Sequence, residues 1–256
     1  MTDLLAAYDD ALRTDAEMEG AETVQRRGPL WIGRFRGGRL FVTYRDLDDP
    51  ASRVREVAAI LAADESIEHA EWKTRTHDRT PGLADALTAA GFLAEESESV
   101  MLGEASSLVD AAMPPGVTVR LLTTPEEIRS ALDMQDAVFG GTPRADSALP
   151  ELLSRQGEES SVEVWGAEVD GRIVSAGRIE IVPGTRFAGI WGGATLPEYR
   201  GRGIYRALTA ARARSAMARG VRWVHSDSTE FSRPILERAG LVKVSETVPW
   251  IWERTA

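Results

Sequence analysis

The segment richest in chemistry runs Gly193-Ala194-Thr195-Leu196-Pro197-Glu198-Tyr199-Arg200-Gly201-Arg202-Gly203-Ile204-Tyr205-Arg206. It reads as the end of a strand, a short Gly- and Arg-rich turn, and the start of a helix. Glycines let successive backbone N–H groups converge, and a helix N-terminus adds roughly half a positive charge to that focus. Such a place binds phosphate without any catalytic side chain. Arg200, Arg202 and Arg206 add positive charge at its rim. Between residues 200 and 222 there are seven arginines and no Asp or Glu, on a chain whose formal net charge is −10. That contrast makes the segment a candidate site for a small, highly anionic ligand. Two plainer readings stay open: a solvated helix face in a protein where 28 of 30 cations are Arg, and a tight strand–helix turn. No Gly-Lys-Ser/Thr follows, so the segment is no P-loop. Gly201 and Gly203 also lack the third glycine of a dinucleotide fingerprint.

Arg200-Gly201-Arg202-Gly203-Ile204-Tyr205 resembles the Gln/Arg-x-x-Gly-x-Gly/Ala motif of the GNAT superfamily of N-acetyltransferases. The resemblance implies that backbone amides hold the pyrophosphate of acetyl-CoA. It extends to both sides. Residues 191–196 sit where that family's splayed fourth strand hydrogen-bonds the pantetheine arm, and Ser232 to Leu241 resembles its late helix–Gly–Phe ending. Together these cover residues 117–252. The implied cofactor set is Gly193, Ala194, Thr195, Leu196, Arg200, Gly201, Arg202, Gly203, Ile204, Tyr205 and Arg206. Thr229 and Ser232 join it as donors to the cofactor's sulfur or pantetheine, or else serve as helix N-caps. No metal is expected.

Three positions depart from the family pattern. Tyr205 stands where Gly or Ala is usual. The family's frequent tyrosine, its general acid, falls on Leu236, and the glutamate that some members use as general base falls on Gly189. Attack of an amine on a thioester needs a neutral amine, alignment and stabilisation of a developing oxyanion. A water chain can take the amine's proton. Glu180 and Asp227 are the carboxylates placed to act as a base; the other reading makes each a surface or turn residue.

The elements that must position these groups are legible around them. Val117 begins a strand. Thr124 can cap a helix that has Pro125 at its first position and Glu126 and Glu127 in its first turn. Residues 140–157 read as loop-rich, with one more helical turn. Strands over 162–169 and 172–182 meet at Asp170-Gly171, a hairpin turn. A third strand follows over 187–196, then a helix over 203–219, a strand over 221–227, a helix over 233–239 and a strand over 241–252. The order β-α-β-β-β-α-β-α-β predicts a mixed α/β fold, with hairpins leading into a βαβ crossover.

The first half shows an amphipathic helix (Leu4, Leu5, Tyr8, Leu12) and a hairpin over 30–35 and 39–44 around Gly37-Gly38. A helix over 51–63, a strand over 67–74, a helix over 83–90 and a strand over 92–102 complete it. Leu87-Thr88-Ala89-Ala90-Gly91-Phe92 matches Leu236-Glu237-Arg238-Ala239-Gly240-Leu241, and each is followed by Glu-x-Val. This faint repeat suggests a duplicated domain. No counterpart of the Arg/Gly turn exists in the first half, which resembles the degenerate half of tandem GNAT proteins such as mycothiol synthase. We therefore expect two GNAT-like halves: residues 1–103, degenerate; 104–116, a linker ending in Met113-Pro114-Pro115-Gly116; and 117–256, the acetyl-CoA-binding half.

Composition bounds the rest. With 43% hydrophobic residues, 256 residues can build two modest cores. There is no cysteine, hence no disulfide, thiolate metal site or cysteine nucleophile. His69, His77 and His225 have no metal-ligand spacing. An acidic chain argues against nucleic-acid partners, and no apolar run reaches the roughly 18 residues of a membrane span. A cytoplasmic location is expected. The expected function is transfer of an acetyl group from acetyl-CoA to a primary amine, on a small molecule or a peptide, by direct attack in a ternary complex. The alternative is a non-catalytic acyl-CoA-binding or regulatory protein of the same fold. Acidity is compatible with cationic acceptors such as polyamines, aminoglycosides or Lys side chains.

Overall fold

The structure is a computed structural model that describes residues 2–140, 145–155 and 161–255. Helix α1 (Thr2–Leu12) and a 3-10 turn (Asp15–Met18) precede a meander of β1 (Thr23–Arg27), β2 (Leu30–Phe35) and β3 (Arg39–Tyr44). Then come α2 (Pro50–Ala63), β4 (His69–Arg75), α3 (Leu83–Ala89), β5 (Leu93–Ala94) and β6 (Glu98–Glu104). A second 3-10 turn (Ala105–Leu108) leads to β7 (Thr118–Leu122), α4 (Pro125–Phe139) and α5 (Ala145–Ser154). A second meander follows, β8 (Val162–Val169), β9 (Arg172–Ile181) and β10 (Phe187–Thr195), then α6 (Ile204–Ala218), β11 (Trp223–Ser228), α7 (Arg233–Arg238) and β12 (Val242–Glu253).

Packing divides the chain into two units. One holds residues 1–100, 227–230 and 243–256; the other holds 101–226 and 231–242. Both repeat one plan: an antiparallel meander, a helix, and a strand parallel to the third strand of the meander. In the first unit β1, β2 and β3 pair antiparallel and β3 pairs parallel with β4. In the second, β8, β9 and β10 pair antiparallel and β10 pairs parallel with β11, while β7 adds an outer strand beside β8. The repeated hexapeptides do the same structural work in each. Phe92 N–H bonds to Leu87 C=O and Leu241 N–H to Leu236 C=O, both at 3.0 Å, a Schellman ending that closes α3 and α7 alike.

Local chemistry explains most elements. Asp170 and Gly171 both take positive φ, +50° and +77°, the type I′ geometry whose twist suits a two-residue hairpin. Thr124 and Glu127 form a full capping box at the start of α4, behind Pro125. The first core sets Val54, Val57 and Leu61 of α2 against Val42, Tyr44 and Trp72 of the sheet. The second unit buries Ile128 and Ala131 of α4 with Val164 and Ala176 on β8 and β9, and Ala213 and Ala216 of α6 with Ile190 and Val224.

Three expectations need correction. The strand anticipated over 92–102 is two strands, interrupted where Glu95, Glu96 and Ser97 leave the pleat. The loop-rich reading of 140–157 gives way to α5, a helix that contains Pro150; residues 141–144, 156 and 157 lie outside the described residues. Finally, β1 was not anticipated. Its five residues are all exposed, so its sequence has no alternation, and pairing with β2 alone makes it a strand.

Parallel pairing of β3 with β4 runs from Arg39↔His69 to Val42↔Trp72. Beyond that point side chains from the N-terminal segment occupy the ends of the two strands. Arg75 donates to Thr43 Oγ1 at 2.8 Å and pairs with Glu17, and Thr43 donates to Glu17 at 2.6 Å. Arg13 donates to Tyr44 C=O and to Asp78, both at 2.8 Å. Arg13, Thr43 and Arg75 are all buried. His77 lies beside this network, with Nδ1 2.6 Å from Ser245 Oγ and Nε2 3.2 Å from Asp9.

Candidate functional site

In the second unit the equivalent strands part around small residues. β10 pairs with β9 as far as Trp191↔Arg178, then resumes at Ala194↔Ala176 after a register shift. Gly192 and Gly193 therefore stand opposite Gly177 alone, a β-bulge that re-aims the end of the strand. On its other edge β10 pairs with β11 only over Phe187↔Trp223, Ala188↔Val224 and Gly189↔His225. Ser226 Oγ donates to Ile190 C=O at 3.0 Å, one step further along. Past this point β10 carries main-chain groups with no strand partner on that edge among the described residues. Gln135 of α4 donates to Gly192 C=O at the bulge, and the Trp191 ring meets His225 edge to face at 5.2 Å.

Immediately after β10, a 3-10 turn (Pro197–Tyr199) delivers the chain to the Arg/Gly loop. Arg200 Nε donates back to Thr195 C=O at 3.0 Å, which ties the loop to the strand end. Arg202 donates to Glu198 C=O at 2.8 Å and stacks over Tyr199, 5.0 Å from the ring centre. Gly201 and Gly203 take φ of +74° and +79°, where a side chain would be strained. Gly203 is the N-cap of α6, and no side chain caps that helix. Ala207 N–H is the first to bond back, to Gly203 C=O at 3.0 Å. The amides of residues 201–206 thus have no acceptor among the described residues. A run of unbonded N–H groups at the start of a 15-residue helix is an anion cradle.

Behind the loop, a cavity of about 220 Å³ opens between α6, α7 and residues 107–111. Tyr205, Arg206, Thr209 and Leu236 are among its lining residues. Tyr205 packs on the bulge: a Cβ placed on Gly193 would come within 2.7 Å of its ring and hydroxyl. Gly193 is glycine because Tyr205 fills the space that its side chain would need. The large residue at this position is therefore matched by a small one on β10. Residues 109–114 run along the same helix. Arg206 donates to Asp110 C=O at 3.4 Å, Arg214 to Val109 C=O at 2.5 Å, and Pro114 lies beside Gly203.

The expected site residues divide between the units. Residues 193–206, Glu180 and Ser232 belong to the second; Asp227 and Thr229 belong to the first. Glu180 is engaged by two cations, Arg178 Nε at 2.5 Å and Arg155 Nη2 at 2.9 Å. Burial works to raise its pKa, but Arg178 and then Arg155 outweigh burial and hold the carboxyl below its ordinary value. Asp227 is buried and ion-paired to Lys73. Ser232 occupies the N-cap position of α7 without a side-chain capping bond. Thr195 faces inward, its hydroxyl 2.8 Å from that of Ser175. The residues that the sequence did not signal are Gln135 and Thr209, and Arg212 reads only as one of the seven arginines over 200–222. Arg212 sits among alanines on a face of α6 that proves to be buried, and nothing in its spacing marks it out.

Among the described residues no three His, Asp or Glu side chains are grouped to hold a metal, and no helix is long and apolar enough to cross a membrane.

Residues 108–226 match the acetyltransferase (GNAT) domain family. The fold is similar to that of a GCN5-related N-acetyltransferase from Kribbella flavida, with a TM-score of 0.73 and 19% identity over 98% of this chain and 96% of that one. A functionally unknown conserved protein from Staphylococcus epidermidis also gives 0.73, at 17% identity, over 94% of this chain and 98% of that one. A tandem GNAT protein from the clavulanic acid biosynthesis pathway gives 0.64, at 15% identity, over 99% and 94%. No curated protein matches the chain in sequence.

Proposed function

We propose that this protein, whose residues 108–226 match the acetyltransferase (GNAT) domain family and whose fold is similar to that of a tandem GNAT protein, moves an acetyl group from acetyl-CoA to a primary amine. The acceptor is a small molecule or a peptide, and the amine attacks the thioester directly within a ternary complex. The observation that carries the reading is the juxtaposition, within one stretch of chain, of the unpartnered edge of β10 with the unbonded amides of 201–206. An extended arm with amide groups suits the first; a pyrophosphate suits the second.

The chain's own contribution is to bind and align. Gly193, Ala194 and Thr195 lie on the edge assigned to the arm, whereas Leu196 N–H already bonds to Val174 C=O and its C=O accepts from Tyr199 N–H. The loop from Arg200 to Arg206 holds the phosphates. The new C–N bond forms as the C–S bond breaks, the amine's proton passes through a water chain to solvent, and solvent protonates the leaving thiolate. Glu180 and Asp227 already serve cations, and the lowered pKa of Glu180 makes it a weak base at neutral pH. Alignment then supplies the rate enhancement.

A second reading, an acyl-CoA-binding protein without turnover, draws on Leu236 and Gly189 at the positions where the family's proton-transfer residues stand. Thermal unfolding with CoA and acetyl-CoA tests what the two readings share. Ligand at about 100 times its dissociation constant adds roughly 2.7 kcal/mol. Release of free CoA thiol across a panel of amines separates them. No stabilisation by either ligand at millimolar concentration removes both.

A further inference from the structure

Arg212 is fully buried in the second unit, and no carboxylate among the described residues pairs with it. Its Nη1 donates to Arg178 C=O at 3.1 Å, its Nη2 donates to Thr209 Oγ1 at 3.0 Å, and its Nε has no partner. The Tyr205 ring centre lies 6.0 Å from its guanidinium carbon. Gly177 leaves the room it needs, since a Cβ there would come within 2.6 Å of Nη1. A guanidinium does not give up its proton in proteins. Keeping such a charge in an apolar interior without a counter-ion works against stability, and an apolar side chain of similar volume is the more stable choice.

Thr209 shows where the charge is directed. It is 4% exposed and lines the cavity between α6 and α7. Because arginine has only donors, Thr209 Oγ1 must be the acceptor of their bond. The hydroxyl hydrogen is then left over. A helical threonine commonly spends it on the carbonyl four residues back, as Thr88 does on Ala84 C=O at 2.9 Å. Thr209 makes no such bond, so a buried donor on the cavity wall, backed by an unneutralised cation, has no acceptor among the described residues.

We propose that Arg212 and Thr209 form a relay that binds an acceptor oxygen of the acyl donor in the cavity between α6 and α7. The buried cation polarises the threonine hydroxyl, and the hydroxyl donates to the ligand. Arg212 is a positioning residue in this scheme and Thr209 a binding one. The inference rests on the acyl-CoA reading above. The oxygen belongs either to an amide carbonyl of the pantetheine arm or to a phosphate, and the chemistry that recognises it is the same.

Calorimetric titration of the full chain with CoA, pantetheine and adenosine 3′,5′-bisphosphate tests the relay. Thr209→Val, which keeps the shape and removes the hydroxyl, should weaken CoA about tenfold, and Thr209→Ser should recover most of that loss. The weakening should recur with pantetheine if the oxygen is a carbonyl, and with the bisphosphate if it is a phosphate. Arg212→Met should weaken CoA at least as much while raising the ligand-free melting temperature, an effect that no purely structural arginine would give. If Thr209→Val binds CoA as tightly as wild type, the relay is wrong and the acyl-donor reading stands. Wild type that fails to bind CoA at all removes the reading and the relay together. The two Thr209 variants decide the matter even where Arg212→Met does not fold.

Discussion

Asp49 and Gly203 hold the same place in their respective units: each is the left-handed residue, at φ +38° and +79°, directly before the helix that follows a three-strand meander. Asp49 turns its carboxylate onto the helix start, accepting from Ser52 N–H at 3.2 Å, with Asp46 and Asp48 close by in sequence. Gly203 leaves the helix start bare. The first unit therefore supplies its own anion where the second is left to receive one. The plugging of β3 and β4 by Arg13, Glu17 and Arg75 repeats the contrast at the strands. Both features suit a first unit with a structural role.

Gly203→Asp should abolish stabilisation by CoA while leaving the fold intact. Asp49, also left-handed, shows that an aspartate can stand directly before such a helix, and the strain at Gly203 is about 1–2 kcal/mol. Circular dichroism should match wild type, and melting should no longer respond to CoA. An unchanged response to CoA would move the anion site elsewhere.

Asp227→Ala should destabilise the first unit by about 3–5 kcal/mol, because it strands a buried ammonium. Burial alone draws the pKa of Lys73 down; Asp227 reverses this and raises it. Urea unfolding of Asp227→Ala, alone and combined with Lys73→Met, measures the effect, and the double variant should regain most of the loss. A variant of native stability with activity lost a hundredfold would instead make Asp227 a base.

Glu180→Gln should cost about 1–3 kcal/mol at neutral pH, since Arg155 and Arg178 lose their shared carboxylate. The folded-state pKa of Glu180 is lowered, so its stabilisation is present above the unfolded value near 4.3 and vanishes as pH falls through the lower folded value. Melting curves of wild type and variant should converge in acid. The pH dependence of turnover should be the same in both, because neither relies on this group for the proton.

At the start of α4 the same sign applies. Glu127 accepts from Thr123 and Thr124 N–H at 2.9 and 3.1 Å and pairs with Arg120, which together bring its pKa down to about 2. Its contribution holds at neutral pH and is lost between roughly pH 4.3 and the lowered value. Thr124→Ala should cost about 1 kcal/mol, read from the denaturation midpoint.

What the sequence revealed was what local chemistry determines. The Asp170-Gly171 turn, the Thr124 cap and the Arg200-to-Tyr205 turn each carry their geometry in adjacent residues. The parts that stayed hidden depend on distant partners. β1 has no pattern of its own and is a strand because β2 lies beside it. Arg212 reads as one more solvated arginine until α6 is seen to bury that face. Tyr205 looks like a misfit in its motif until Gly193 appears as its complement across the bulge.

The placement of β12 has a consequence for synthesis. This last strand pairs with β4 from Thr247↔Arg75 to Glu253↔His69, partners up to 184 residues apart, and belongs to the first unit. The second unit owns no residue beyond 242. On the ribosome the order of completion is therefore the reverse of the order of translation. The N-terminal half emerges first and must wait with an unpaired β4 edge, for roughly 10–40 s at ordinary elongation rates. That waiting edge is where nascent chains would misassociate. A stop codon just before β12 would damage the half of the protein made first, and leave the half made last almost whole.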